Sequence, residues 1–319
     1  MTELATALRS EGMDTSAIRR LEAAVGTVVR GKADAIRLAV VALLAKGHLL
    51  IEDVPGVGKT TLAKGLARAL GLDFQRIQFT SDLLPSDIIG VSIYRRESED
   101  FHFSPGPLFA NIVLADEINR ASPKTQSALL EAMSERQVTV ERERRILPEP
   151  FIVIATQNPL EFHGTFPLPE SQLDRFLMSL ELGYPPKDEE RNLLISGGVD
   201  SILADLKPVV SREELLSLQG EVTKVSVADK LTDYMLAIAD VTRQSDRFAL
   251  GVSTRAAQSL FRATQALAFC EGRDFAVPDD VQRLVLPVLA HRVLLPTASG
   301  LGATRSALRN VLAEVAVPL

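Results

Sequence analysis

The stretch Asp53-Val54-Pro55-Gly56-Val57-Gly58-Lys59-Thr60-Thr61 follows an apolar strand, HLLIED, and precedes a helical run, LAKGLARALG. Gly56 and Gly58 let backbone N–H groups turn inward around phosphate oxygens, and the helix aims its positive end at the same place. Lys59 then reaches the β and γ phosphates, and the Thr60 hydroxyl binds Mg²⁺. The strand–loop–helix context outweighs a glycine-rich turn with an incidental lysine. Asp53 stands where such loops usually carry their first glycine. At a strand end that loss is tolerable, although a carboxylate facing the phosphates weakens nucleotide affinity by repulsion.

A second chemical feature lies about 57 residues after Lys59, where the apolar run Ile112-Val113-Leu114-Ala115 ends in Asp116 and Glu117. Burying unpaired charge is costly, so adjacent acids at the end of a buried strand are not there for stability. Asp116 is placed to hold Mg²⁺ through its water shell, and Glu117 to orient and polarise an attacking water as general base. Asn158 follows the strand FIVIAT. Parallel neighbours end at one sheet edge, which puts its amide near the water or the γ-phosphate; turn chemistry is the plainer alternative. Arg175, in LPESQLDRF, precedes the last strand, where a solvated or salt-bridged arginine is the plainer reading. Arg255, in GVSTRA, falls in the first turn of a helix, where positive charge is disfavoured unless an anion faces it.

These residues need a scaffold. Five apolar segments read as strands: His48–Asp53, Arg76–Thr80, Asn111–Asp116, Phe151–Thr156 and Phe176–Leu182. Alternating with helical stretches, they indicate an α/β unit with a parallel sheet covered on both faces. The run Leu38 to Ala45 is too short to span a membrane and reads as a buried helix. The turn Tyr184-Pro185-Pro186-Lys187-Asp188 ends the strand pattern. Beyond it only helical spacing is found: Leu231, Tyr234, Met235, Ile238 and Val241, then Ala256 to Ala268 with Ser253 as N-cap. A further helix starts near Asp279 or Asp280 and is broken at Pro287. The expected domains are therefore 1–187, an α/β core with N-terminal helices, and 188–319, all helical. Two insertions, residues 83–107 and 137–150, read as small hairpins; insertions of this kind are usually functional.

The chain has 319 residues and a net charge of −6. Its pI of about 5.4 argues against a protein that coats nucleic acid. Cys270 is the one cysteine, which excludes an internal disulfide, and His48, His102, His163 and His291 are scattered without ligand spacing. The N-terminus MTELATALRSEGMD lacks a signal-peptide pattern, so a cytoplasmic location without membrane insertion is the default expectation.

Taken together, these residues resemble the AAA+ ATPases and, within them, the MoxR family. The resemblance is carried by QFTSDLLPSDIIG, by FHFSPGPLFANIVLADEINRASPKTQSALLEAMSERQVTV (Phe101 to Val140), by FIVIATQNPLEFHGTFPLPESQLDRF, and by GVSTRA followed by GRDFAVPDDV. It implies an AAA+ P-loop core with a five-stranded parallel sheet in the order 5-1-4-3-2 and an all-α lid, a layout shared with magnesium chelatase ATPase subunits. Residues 83–107 correspond to a helix-2 insert and 137–150 to the hairpin before sensor 1. Residue by residue, the Pro55–Thr61 loop with Lys59 and Thr60 matches Walker A, and Asp116 and Glu117 match Walker B. Asn158 matches sensor 1, Arg175 the arginine finger and Arg255 sensor 2. Arg120 is a weaker candidate for contact across a subunit boundary, and Val28–Lys32 resembles the segment that flanks adenine.

The resemblance further implies ATP and Mg²⁺ as cofactors and a homo-oligomeric ring, most often of six subunits. It also implies partner proteins bearing von Willebrand A domains, and chaperone-like remodelling, maturation or metal insertion in client complexes. A nucleic-acid motor of the same clade, akin to the MCM helicases, is the alternative: Arg142, Arg144 and Arg145 offer phosphate contacts, which Glu141 and Glu143 blunt. A guanine-reading tetrad and the GAFTGA loop of sigma-54 activators are absent. A scaffold merely held together by nucleotide is opposed by Glu117.

Overall fold

The structure, a computed structural model, describes residues 14–158, 164–196, 198–297 and 300–318. The N-terminal stretch read for a leader and His163 lie outside these residues, save Asp14. The chain separates into two compact units, one spanning Leu21–Leu216 and the other comprising the residues up to Arg20 together with those from Ser217 onward.

The first unit holds the strands β1 (Leu49–Glu52), β2 (Phe74–Gln78), β3 (Gly90–Arg95), β4 (Asp100–Pro105), β5 (Ile112–Asp116), β6 (Gln137–Val140), β7 (Glu143–Ile146), β8 (Ile152–Gln157) and β9 (Met178–Leu180). Five of them form one sheet in the order β2-β5-β8-β1-β9, with every pairing parallel. Counting only these five in chain order gives the expected 5-1-4-3-2. Their side chains explain the choice of partner. β1, β5 and β8 are apolar along nearly their whole length and buried on both faces, as central parallel strands must be. β2, half polar, takes an edge.

The limits of β1, β5 and β8 lie within one residue of those expected, and two strands differ by more. β2 starts at Phe74 instead of Arg76 because it is matched residue for residue to β5, from Phe74 opposite Ile112 to Gln78 opposite Asp116. β9 covers three residues instead of seven because it pairs with only Leu49, Leu50 and Ile51 of β1.

One sheet face is sealed by the helix Pro123–Glu135. Its Leu129, Leu130 and Met133 pack with Val113, Ala115, Val153, Ala155 and Phe176. Fully burying a side chain of this size contributes roughly 1.5–3 kcal/mol, so this layer holds the helix against β5 and β8. The helix Lys59–Leu70 buries Leu62, Leu66 and Leu70. Its Gly65 lets Val28 approach, since a Cβ there would lie 3.0 Å from Val28 Cγ2. Both insertions form antiparallel hairpins, β3–β4 and β6–β7, as expected. They meet where the Arg145 guanidinium lies 3.9 Å from the Phe103 ring centroid.

The helices Lys187–Ser196 and Asp200–Asp205 group with the sheet, although the expected boundary lay at 187. Arg68 donates to the Ala204 carbonyl at 3.3 Å, and Val209 N–H donates to the Ala69 carbonyl at 2.7 Å. The expected limit marks the end of the strand pattern along the chain; the grouping follows contacts in space.

The second unit is helical, with long helices Asp229–Gln244, Thr254–Cys270, Pro278–Leu289 and Leu301–Glu314. Ser253 caps the second of these, accepting from Ala256 N–H at 3.0 Å. Two expectations are corrected. The helix from Pro278 is not broken at Pro287 but runs on to Leu289, because Pro287 sits in the last turn while Val281, Leu284, Val285, Val288 and Leu289 are buried. Its N-cap is Val277, not an aspartate. Asp280 reaches back to accept Val277 N–H at 2.9 Å while also holding Arg273.

Candidate nucleotide-hydrolysing site

The loop after β1 is shaped by two glycines with positive φ, Gly56 at 84° and Gly58 at 97°. Side-chain-bearing residues rarely adopt these values. A Cβ built on either meets nothing within 4 Å, so the inner wall is open. Gly58 is also the N-cap of the helix Lys59–Leu70, whose N-terminus, the positive end of its dipole, faces the loop. The Lys59 ammonium donates to the Asp53 carbonyl at 2.7 Å, which arches it back over the loop.

Asp53, the residue in place of a glycine, is turned away from this wall. It is 8% exposed. Its Oδ1 accepts Val54 N–H at 2.9 Å, while Oδ2 accepts Leu182 N–H at 2.7 Å and Gly183 N–H at 2.6 Å. The charge therefore ties the end of β9 to the start of the loop and removes the anticipated repulsion.

Asp116 and Glu117 leave the carboxyl end of β5. Thr156, the fifth residue of β8, donates its hydroxyl to Asp116 Oδ1 at 2.5 Å and accepts Glu117 N–H at 3.0 Å. Glu117 has φ of 57°, a left-handed conformation that costs an ordinary residue about 1–2 kcal/mol. That turn carries its carboxylate toward β2, where Gln78 Nε2 donates to Oε2 at 2.7 Å. Arg120 Nη1 reaches the same oxygen at 3.3 Å. Arg76 donates from Nε and Nη2 to Asp116 Oδ2 at 3.1 and 2.6 Å.

One cleft of about 410 Å³ joins these parts: Pro55, Gly56, Gly58, Lys59, Thr60 and Thr61 on one side, and Asp116, Glu117 and Asn158 on the other, with Arg76 and Gln78. All its walls lie at the carboxyl ends of the strands, where open α/β sheets take their ligands. A second cavity of about 240 Å³ shares Gly56, Gly58 and Thr61 with it and is walled by Val28, Val29, Val57, Pro185, Leu193 and Val199. Its apolar walls suit a flat base, and they include the Val28–Lys32 segment. Lys32 is fastened to the Tyr184 carbonyl at 2.6 Å.

Two expected site residues are not among those lining the cleft. Arg175 donates from Nη1 to the Leu130 carbonyl at 2.7 Å and to Ser134 Oγ at 2.5 Å, at the far end of the helix Pro123–Glu135. Arg255 belongs to the second unit and is the second residue of the helix Thr254–Cys270. Sequence reasoning missed Arg76, Gln78 and Thr156. A signal for the first two was present: they are polar, two residues apart, and therefore share one face of the same strand.

His48 is not part of the site. Its Nδ1 accepts Val153 N–H at 2.9 Å and its Nε2 faces the Met133 carbonyl at 3.0 Å. Burial lowers its pKa to about 4, despite the contrary pull of the Met133 carbonyl.

A phosphate loop, paired acids on the neighbouring-but-one strand and a 5-1-4-3-2 sheet define an AAA+ ATPase. Residues 48–178 match the family described as "ATPase family associated with various cellular activities (AAA)", and residues 240–309 match the "AAA lid domain". The chain is 42% identical to "Chaperone MoxR1" of Mycobacterium tuberculosis over 90% of this chain and 78% of that one. It is 33% identical to "Protein MoxR" of Paracoccus denitrificans over 88% and 89%. A crystal structure of a presumed ATPase from Cytophaga hutchinsonii superposes with a TM-score of 0.87 at 36% identity, covering 96% of each chain. The chain belongs to the MoxR family of AAA+ ATPases, nucleotide-binding ATP hydrolases that generally act as oligomeric rings. Among the described residues no helix is long and apolar enough to cross a membrane.

Proposed function

We propose that this ATPase hydrolyses Mg²⁺-ATP in the cleft between the Pro55–Thr61 loop and the Asp116–Glu117 pair, with each site completed by a neighbouring subunit. The observation that supports this most is the single cleft that brings Lys59 and Thr60 together with Asp116, Glu117 and Asn158. The donor set fits the metal: one hydroxyl and one carboxylate are enough, because Mg²⁺ takes its remaining ligands from phosphate and water.

Backbone N–H groups of the loop bind the phosphates, and Lys59 leaves the Asp53 carbonyl to neutralise the γ-phosphate. Thr60 and Asp116 would hold Mg²⁺, which would supply positive charge to offset that of the phosphates. Glu117 takes a proton from the attacking water as general base. Asn158 steadies that water or the γ-phosphate. Arg175 enters the cleft of the next subunit, and Arg255 contributes from the lid, in its own subunit or its neighbour's. Arg120 is a further candidate at that boundary.

In this reading residues 1–187 form the core and 188–319 the lid, with the Pro185-Pro186 turn as hinge. The ring has six subunits and works in the cytoplasm. The two hairpins carry lid motion to client complexes for chaperone-like remodelling or metal insertion, with von Willebrand A domain proteins as partners; the chaperone name of the 42% identical relative supports this. A nucleic-acid role is not favoured, since Arg145 is engaged by Phe103 and by Glu143 at 2.7 Å. The test is phosphate release measured against protein concentration, alongside sedimentation with and without ATP. Turnover per subunit should rise as the chains assemble. Equal turnover in a single chain and in an assembly sinks the shared-site reading.

A further inference from the structure

Arg76 has no part in the cycle set out above, yet it grips one of that cycle's central groups. Its Nε and Nη2 converge on a single oxygen, Asp116 Oδ2, and Nη2 also donates to Gln78 Oε1 at 3.0 Å. The other oxygen, Oδ1, takes the Thr156 hydroxyl. Both oxygens of Asp116, a residue lining the cleft, are thus engaged by neighbours within the protein, and Oδ2 is held by a full positive charge.

This pairing is not needed to hold the fold. β2 is secured to β5 by its own ladder and by buried Ile77, followed by buried Phe79. The Arg76 side chain is 48% exposed and that of Asp116 13%, so the pair lies at the surface of the cleft, where ion pairs contribute little to stability. Arg76 lines the same cleft as Lys59 and Thr60. While the guanidinium donates to Oδ2 at 3.1 and 2.6 Å, it fills that oxygen's acceptor positions and its charge repels a second cation.

We propose that Arg76 is a cationic stand-in for the metal: it competes with Mg²⁺ for Asp116 and so sets the Mg²⁺ concentration at which nucleotide loads. The proposal rests on the nucleotide reading of the cleft. Without a metal, Arg76 keeps Asp116 neutralised beside the incoming phosphates. With Mg²⁺-nucleotide present, the metal displaces the guanidinium and takes over the carboxylate.

The experiment is binding of a fluorescent ATP analogue to the full chain, followed by anisotropy across a Mg²⁺ titration that starts in chelator. Arg76→Gln and Arg76→Ala should reach half-saturation at about tenfold lower Mg²⁺ than the wild type, the scale of a lost charge-assisted hydrogen bond. Arg76→Lys, which keeps the charge, should stay closer to the wild type than either. An unchanged or higher Mg²⁺ requirement in Arg76→Gln overturns the proposal. So does an equal loss of binding with and without metal, which makes Arg76 a phosphate ligand. No binding by the wild type at any Mg²⁺ overturns the nucleotide reading as well. A second measurement needs no variant: the Arg76 Nε–H resonance of the wild type should move on addition of Mg²⁺-nucleotide and stay put with nucleotide in chelator. A resonance unmoved by both overturns the competition.

Discussion

Gln78 Nε2 donates to Glu117 Oε2 across 2.7 Å, so the amide of an edge strand holds the carboxylate read as the general base. This bond occupies Glu117 Oε2 and turns the carboxylate toward β2. Removing it should release the base. Gln78→Ala is expected to raise basal ATP hydrolysis about two- to tenfold, the worth of one net hydrogen bond, with little change in ATP affinity. Steady-state phosphate release checks this, and a fall in turnover would show that the amide positions the base productively.

Glu117→Gln should bind ATP and retain it. The amide keeps the shape of the carboxylate but cannot take a proton, so turnover is expected to fall at least a hundredfold. Single-turnover hydrolysis beside nucleotide binding tests the assignment. Wild-type turnover in this variant dismisses Glu117 as base.

Arg175→Ala should spare ATP binding and cut turnover of the assembled protein by about 10³-fold or more, the low end for an arginine supplied by a neighbour. Mixing it with Glu117→Gln subunits provides the sharper measurement. Each mixed boundary pairing an intact Arg175 with an intact Glu117 should regain activity, and inactivity at every mixing ratio speaks against action in trans.

Asp53→Ala should destabilise the chain. It leaves three backbone N–H groups, of Val54, Leu182 and Gly183, without their carboxylate. One orphaned buried donor costs about 1–3 kcal/mol, and water will reach some of these. A loss of about 2 kcal/mol or more in denaturant unfolding is expected, and a change near zero would mean the loop and β9 are held otherwise.

His48 gives a pH dependence. Its folded pKa, about 4, lies below the ordinary imidazole value of 6.5, so the unfolded chain binds the proton more tightly. The native state keeps its full advantage above pH 6.5 and loses it as the pH falls toward 4. The total is on the order of 3 kcal/mol. Denaturant unfolding between pH 7 and pH 5 should show stability falling in the wild type more steeply than in His48→Leu. Parallel slopes reject the assignment.

The membership of the cleft was legible in the sequence for a physical reason, whereas the sheet order followed from the family resemblance. Gly56, Gly58 and Lys59 must follow a strand to face a phosphate, and Asp116 and Asn158 must end strands to reach the same edge. What was not legible lies in side-chain partnership. Asp53 looked like a threat to phosphate binding because its three N–H partners come partly from residues 182 and 183, far along the chain. Arg76 and Gln78 looked like polar residues of an edge strand, since nothing local says that β2 pairs with β5. Pro287 was read as a break because local rules carry no account of the burial that holds a last helical turn in place.

The helix Pro123–Glu135 begins beside one functional element and ends on another. Near its start, Gln126 is bonded to the carbonyl of Ile118, the residue after Glu117. At its close, the Leu130 carbonyl and Ser134 grasp Arg175, and the Met133 carbonyl engages the His48 ring. A rigid rod gripped at both tips behaves as a crank. The segment beside Glu117 and the Arg175 guanidinium are thus held by one and the same element, so a shift of either loads the other through that helix.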